Sequence, residues 1–250
     1  MSATPALPML QPGAPFPPAG QAWPEHSPAP GLVAAGGALD VASLLAAYGS
    51  GLFPWFSAGE PILWWSPDPR MVLAPARFRL HRSLRRTLQR FVQDGRCEIR
   101  MDSAFDRVIA ACAQAPRRGQ SGTWIGPAMR RAYQALHAAG HAHSVETWVD
   151  GRLVAGLYGV GIGRMVFGES MFTTVTDGSK LALAALVAWA RHHRLPLIDC
   201  QQQTEHLASL GAAPVPRRAF VEQVRALAAQ PAPAWQFKPV YWTEMTLGPP

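Results

Sequence analysis

Apolar positions fall at helical spacing in some windows of this 250-residue chain and at alternating or continuous spacing in others. Between residues 39 and 48 the pattern L-x-x-x-x-L-L-x-x-Y predicts a helix stopped by Gly49 and Gly51. Between residues 80 and 92, Leu80, Leu84, Leu88, Phe91 and Val92 form one apolar stripe and Arg82, Arg85, Arg86 and Arg90 take the other side, which predicts an amphipathic helix. Helices are also predicted over 105–112 and 127–139, the second closed by Gly140. The period then changes. Runs at 142–148, 153–160 and 165–169, with Asp150-Gly151 between the first two, predict three strands in meander order. Asp177 is placed to cap a long helix reaching residue 193, and 197–201 is a short apolar strand after it. Helices over 205–210 and 217–229 and a last strand at 240–243 complete an α+β chain, a sheet with helices packed on it.

Before residue 31 the pattern fails. Residues 1–30 hold nine prolines and one charged side chain, Glu25, so they read as a proline-rich disordered tail, with order beginning near Ala38. Residues 31–75, dense in Trp and Pro between Phe53 and Arg70, read as a small N-terminal domain. Residues 76–245 read as the main domain. The longest apolar run, 181–190, is far short of the roughly 18 to 20 residues that span a membrane. No Lys or Arg precedes Arg70, so the basic opening of a secretory signal is missing and the expected location is the cytoplasm. Cys97, Cys112 and Cys200 are scattered, which argues against a disulfide framework or a zinc knuckle.

Charge alters the picture in one place. The net charge is +7, and the stretch from Arg70 to Arg100 alone carries nine arginines against Asp94 and Glu98. Such a stripe is either a solvated helix face or the footprint of a phosphate-rich partner. The glycines at 156, 159, 161 and 163 do not make a phosphate loop, because a strand and not a helix follows them. His137, His141, His143, His192 and His193 lack the carboxylates or thiols at tight spacing that a metal site needs, and no metal is expected. Glu169 and Asp199 are more informative. Each sits inside an apolar strand, where an unpartnered charge costs several kcal/mol, so each has either a structural partner or a catalytic task.

The segments FPWF…PILWWSPDPR, GTWI, GHAHSVE, LVAGLYG, FGESMF, SK-x-AL and LIDCQ…EHLASLGA…PRR stand in an order and spacing that resembles the leucyl/phenylalanyl-tRNA–protein transferase family over residues 36–242. The resemblance implies transfer of leucine or phenylalanine from leucyl-tRNA or phenylalanyl-tRNA, and since one methylene is worth only about 1 to 3 kcal/mol in an apolar pocket, partial acceptance of methionine is expected. The acceptor it implies is the α-amino group of a protein or peptide with N-terminal Arg or Lys, marked thereby for N-end-rule degradation. It implies a small N-terminal α/β domain and an acyl-CoA N-acyltransferase-like domain, mostly antiparallel sheet flanked by helices. It implies no metal, ATP or other cofactor; from the chain itself no membrane partner is expected, and a monomer is expected.

The resemblance carries Trp55 and Trp124 over as binders of the terminal adenosine and its aminoacyl group, a task that suits flat side chains. Met171 and Ile198, extended to Leu157, Val166 and Leu186, are expected to line the amino-acid pocket. Asp199 and Gln201 are the candidates for proton handling, with Glu169 holding amino or cationic groups, and Arg82, Arg85, Arg86 and Arg90 are expected to contact tRNA phosphates. Thr204 stands where the family pattern has Asn. An acetyl-CoA-dependent enzyme would need a Q/R-x-x-G-x-G/A loop entering a helix, and none is present. A purely RNA-binding module would leave Glu169 and Asp199 unexplained.

Overall fold

In the computed structural model the described residues are 6–115 and 123–245. A four-stranded sheet comes first: β1 (Met9–Leu10), β2 (Leu32–Gly36), β3 (Phe53–Pro54) and β4 (Leu63–Trp65), in the order β1-β2-β4-β3. Helix α1 (Val41–Gly49) lies between β2 and β3 in the chain, and Asp40 caps it by accepting from the Ser43 N–H at 2.8 Å. The second sheet has seven strands: β5 (Arg70–Leu73), β6 (Cys97–Met101), β7 (Ala142–Val149), β8 (Arg152–Ile162), β9 (Met165–Thr173), β10 (Ile198–Gln201) and β11 (Ala213–Val215). Their order is β11-β5-β10-β9-β8-β7-β6, and β9–β10 is the one parallel pair among them. Helices α2 (Arg82–Gln93), α3 (Phe105–Gln114), α4 (Pro127–Ala138), α5 (Gly178–His192), α6 (Glu205–Ser209) and α7 (Arg217–Ala228) flank this sheet.

The architecture is the α+β arrangement that the pattern predicts, with a largely antiparallel main sheet. The glycines of β8 serve close strand approach. A Cβ on Gly159 would stand 2.4 Å from the Phe167 carbonyl oxygen, and Gly163 turns the β8–β9 hairpin with φ of +57°. Helix α5 is buried along nearly its whole length, and one apolar core packs Leu84, Leu88 and Phe91 of α2 with Val145, Leu157 and Trp189. A second core runs without a break from Val33, Leu44 and Trp64 to Tyr133, Phe167 and Phe220, so both sheets share it.

Three expectations are corrected. Residues 6–30 are not a disordered tail: β1 pairs in parallel with β2, Ala19 and Ala22 are buried, and Phe16 meets Trp64 edge-on at 4.6 Å. Proline forbids helix and central strand, but its extended conformation still lets a chain run along a sheet edge. Strand β5 sits between β10 and β11 of the larger sheet, so a boundary at residue 75 would cut it from its partners. The last strand, expected at 240–243, is a 3-10 helix, Pro239–Met245, whose Tyr241 and Trp242 are buried. Its β-prone aromatics find helix α5 instead of a sheet edge, with Tyr241 lying 4.3 Å from the His192 ring.

Candidate active site

The site grows out of the single parallel pair. Strands β9 and β10 are in register only at Val166↔Ile198 and Phe167↔Asp199. Beyond that point β9 continues along β8, while β10 bulges between Asp199 and Gln201 against β5. The strands therefore splay, and the wedge between them is a cavity of about 250 Å³. Leu157, Met171, Leu186 and Ile198 line it. Leu183, one helical turn before Leu186 on α5, and Leu207 of α6 complete its apolar wall. Val166 is not on the wall. It is buried in the core, beside Ile198 in the parallel pair.

A second cavity of about 280 Å³ adjoins the first, lined by Phe53, Trp55, Trp124 and Gln202. Glu169, Cys200, Gln201, Thr204 and Leu207 line both, so they stand at the junction. Trp55 is fixed by the main chain and by a neighbour: its N–H donates to Leu63 at 2.9 Å, and the Trp65 indole N–H donates to its carbonyl at 2.6 Å. Gly122 of the GTWI segment lies outside the described residues, whereas Trp124 is described. Thr204 caps α6 by accepting from the Leu207 N–H at 3.2 Å, a role Asn performs equally well, which accounts for the exchange.

Asp199 is fully buried and paired with Arg70, a partnership across 129 residues. Arg70 Nε and Nη2 donate to the two carboxylate oxygens at 2.8 and 2.6 Å, a bidentate fork. The guanidinium is held in turn by the Gly51 carbonyl at 3.2 Å and by the rings of Phe53 and Phe220 at 4.7 and 4.5 Å. Asp199 Oδ1 also accepts from the Gln201 N–H at 2.9 Å, which holds Gln201 at a φ of +61°, a left-handed backbone that is costly for this residue type. In that conformation the Gln201 amide reaches across the wedge and donates to Glu169 Oε1 at 2.7 Å.

Glu169 has a different setting. Its two carboxyl oxygens lie within hydrogen-bond distance of the hydroxyls of Tyr48, at 2.7 Å, and Tyr133, at 2.9 Å, and those hydroxyls are 2.6 Å from each other. Burial pushes the acid up to about 8, against the pull of the two tyrosine hydrogen bonds. Burial likewise raises both tyrosines well above the usual phenol range, and raises the Cys200 thiol, so none of these is an accessible nucleophile or base.

The arginine helix begins next to the cavity mouth. The Arg79 N–H donates to the Leu210 carbonyl at 2.9 Å, and the His81 ring nitrogen lies 2.7 Å from the Ser209 carbonyl, which ties the entry of α2 to the exit of α6. Arg82, Arg86 and Arg90 are exposed and Arg85 is half-buried. Of the residues around Glu169, sequence reasoning missed Arg70, counted only as part of the basic stripe, and the tyrosines Tyr48 and Tyr133. A tyrosine in register with the apolar stripe of an Ala- and Leu-rich helix, placed with Leu44 and Ala47, is the signal that points to Tyr48.

An apolar cavity that opens beside Trp55, Trp124, Glu169 and Asp199 is the frame of the site, and comparison with known proteins makes the class an aminoacyltransferase. The model of the leucyl/phenylalanyl-tRNA protein transferase family matches residues 72–225, and that of the family's N-terminal domain matches residues 37–68. The chain belongs to the leucyl/phenylalanyl-tRNA–protein transferase family. Proteins of that name from Polaromonas sp. and Albidiferax ferrireducens are 60% and 57% identical, over 96% and 98% of this chain and 94% and 96% of their own lengths. Among solved structures, L-PGS from Bacillus licheniformis aligns at 15% identity over 68% of this chain and 58% of its own, with a TM-score of 0.39. A ribosomal-protein-alanine N-acetyltransferase from Brucella melitensis aligns at 16% over 57% and 96%, with a TM-score of 0.31. Among the described residues no helix is long and apolar enough to cross a membrane.

Proposed function

We propose that this chain, as a cytoplasmic monomer, moves leucine or phenylalanine from its charged tRNA to the α-amino group of proteins that begin with Arg or Lys, marking them for degradation. The observation that carries this reading is the junction itself: Glu169 and Gln201 stand between an apolar cavity and one walled by Trp55 and Trp124. The donor's side chain fits the first cavity, where Met171 gives a compliant wall for two differently shaped guests. The terminal adenosine fits the second, against an indole face. The ester carbonyl then lies at the junction. The arginine face of α2, joined to the same rim through His81, suits the phosphates that follow.

The ester is already activated and an α-amino group with pKa about 7.7 to 8.0 is partly neutral at pH 7, so alignment supplies much of the catalysis. Asp199 serves alignment rather than proton transfer. Arg70 occupies both its oxygens and the Gln201 main chain shares one, so it works as a positioning residue that sets Gln201. The test is transfer of labelled leucine from charged tRNA to peptides differing only in their first residue. Transfer to Arg- and Lys-initiated peptides alone is expected, and no transfer to either overturns the reading.

A further inference from the structure

The distances among Tyr48, Tyr133 and Glu169 allow the protons to be counted. Three oxygen–oxygen distances close a ring: Tyr48 to Tyr133 at 2.6 Å, Tyr48 to Glu169 Oε1 at 2.7 Å and Tyr133 to Glu169 Oε2 at 2.9 Å. Each side needs one hydrogen. The two phenols bring one hydrogen each, and both are fully buried, which keeps them protonated. If Glu169 were a carboxylate, one side would be two lone-pair oxygens facing each other with nothing between them. The third hydrogen therefore belongs to the carboxyl. A consistent circuit runs from the Oε2 hydroxyl to Tyr133, from Tyr133 to Tyr48, and from Tyr48 to Oε1, which also accepts from Gln201.

We propose that Glu169 is a neutral carboxylic acid in the free protein, held in a closed hydroxyl ring by Tyr48 and Tyr133, and that it is the proton exchanger of the transfer reaction. The second half rests on the transferase reading above. In the step, the neutral amine attacks the ester carbonyl, the carbon–nitrogen bond forms and the bond from carbon to the ribose oxygen breaks. Glu169 gives its proton to the departing ribose oxygen, and the carboxylate so formed takes the surplus proton from the new amide nitrogen. The acid is restored, and atoms and charge balance. Tyr48 and Tyr133 are positioning residues.

The surroundings agree. Tyr48 reaches Glu169 from α1, Tyr133 from α4 and Gln201 from β10. Asp199 of β10 and Arg70 of β5 act on it with opposite sign and neutralise each other through their own pair. Tyr158 of β8, Cys200 of β10 and His206 of α6 share the cavity wall. No unpaired cation among these stabilises an anion at Glu169. Burial outweighs the tyrosine donors, and the resulting value of about 8 matches the α-amino group whose proton must move.

The experiment begins on the free full-length protein. Infrared difference spectra of wild type against Glu169→Gln, from pH 5 to 10, are expected to show a carboxylic-acid carbonyl band at pH 7 that vanishes with a midpoint near 8. A carboxylate band alone at pH 7 overturns the proposal. Tyr48→Phe and Tyr133→Phe each remove a donor from the anion, so the midpoint should rise in both, and an unmoved midpoint in both overturns the ring. Single-turnover transfer to an Arg-initiated peptide should climb as the amine deprotonates and fall above about 8 as Glu169 loses its proton. Glu169→Gln, which mimics the neutral acid in shape, should fold normally, lose about a hundredfold or more in rate and lose the falling limb. A titrating band with no falling limb in wild type overturns the proton-exchange role. A titrating band in a protein that transfers nothing overturns the transferase reading and leaves the ring standing.

Discussion

Two acids from neighbouring strands meet opposite solutions to the same problem. Asp199 is fully buried and Glu169 mostly so, where an isolated charge costs several kcal/mol. Asp199 is answered by a cation, the Arg70 fork at 2.6 and 2.8 Å, itself sandwiched by Phe53 and Phe220. Glu169 is answered by hydroxyls and an amide, neutral partners that satisfy its oxygens without balancing a charge. The first arrangement fixes geometry; the second leaves a proton that can move. The lesson is that a carboxyl's task is set by what surrounds it, since both sit at corresponding places in apolar strands and look alike in sequence.

The sharpest way to break the contrast is to remove the cation. Arg70→Met should leave Asp199 buried and uncompensated and cost about 3 to 5 kcal/mol of stability in urea unfolding. Arg70→Met combined with Asp199→Leu should recover much of that loss, because two apolar groups then replace a pair. Equal destabilisation of the single and double variants would show that the Arg70 side chain matters for packing and not for charge.

Next in size is Asp199→Asn. It loses the fork and relaxes the strained Gln201 backbone, so single-turnover transfer should slow about a hundredfold, the scale of a misplaced group. Gln201→Ala should cost a similar amount and the double variant no more than either. Additive losses in the double variant would make Asp199 a separate participant.

Met171→Ala tests the pocket rather than the acids. Removing part of one wall should change the Leu-to-Phe ratio by about tenfold, within the 1 to 3 kcal/mol that one methylene's worth of fit supplies. Competition between the two charged tRNAs reads it directly, with tRNA affinity unchanged. The smallest effect is expected farthest from the acids. Arg86→Glu on the exposed face of α2 should lower the log-log salt slope of tRNA binding by about 0.7 to 0.9 for each phosphate the helix no longer neutralises, whatever the acceptor sequence. An unchanged slope would remove α2 from the interface.

What was readable in the sequence follows from how local each signal is. Helices α2 and α5 and the β7–β8–β9 meander carry their period over many residues, and all appear as the pattern predicts. The wrongly assigned or missed pieces are short or depend on distant partners: β1 and β2 hide next to prolines, β6 is masked by the charge of its CEIRM alternation, and 239–245 winds onto α5. The site divides the same way. Glu169, Asp199 and Gln201 stand out as polar residues within apolar strands, so they could be named from sequence. Their partners could not, because Arg70 lies 129 residues from Asp199, and Tyr48 lies 121 and Tyr133 36 residues from Glu169.

The contrast between the two acids is tested most directly by the pH dependence of stability in wild type and Glu169→Gln, by urea unfolding from pH 4 to 9. A buried acid raised to about 8 when folded, against an ordinary value near 4.5 when unfolded, binds its proton more tightly in the folded state. Its contribution is thus fully present below about 4.5, declines as pH rises, and is gone once pH passes about 8. Wild type is expected to lose stability relative to Glu169→Gln steadily across that window and to run parallel to it above. A difference that stays flat from pH 4 to 9, or that favours wild type increasingly as pH rises, would mean that Glu169 is folded as an anion like a charge-paired carboxylate, and would contradict the account.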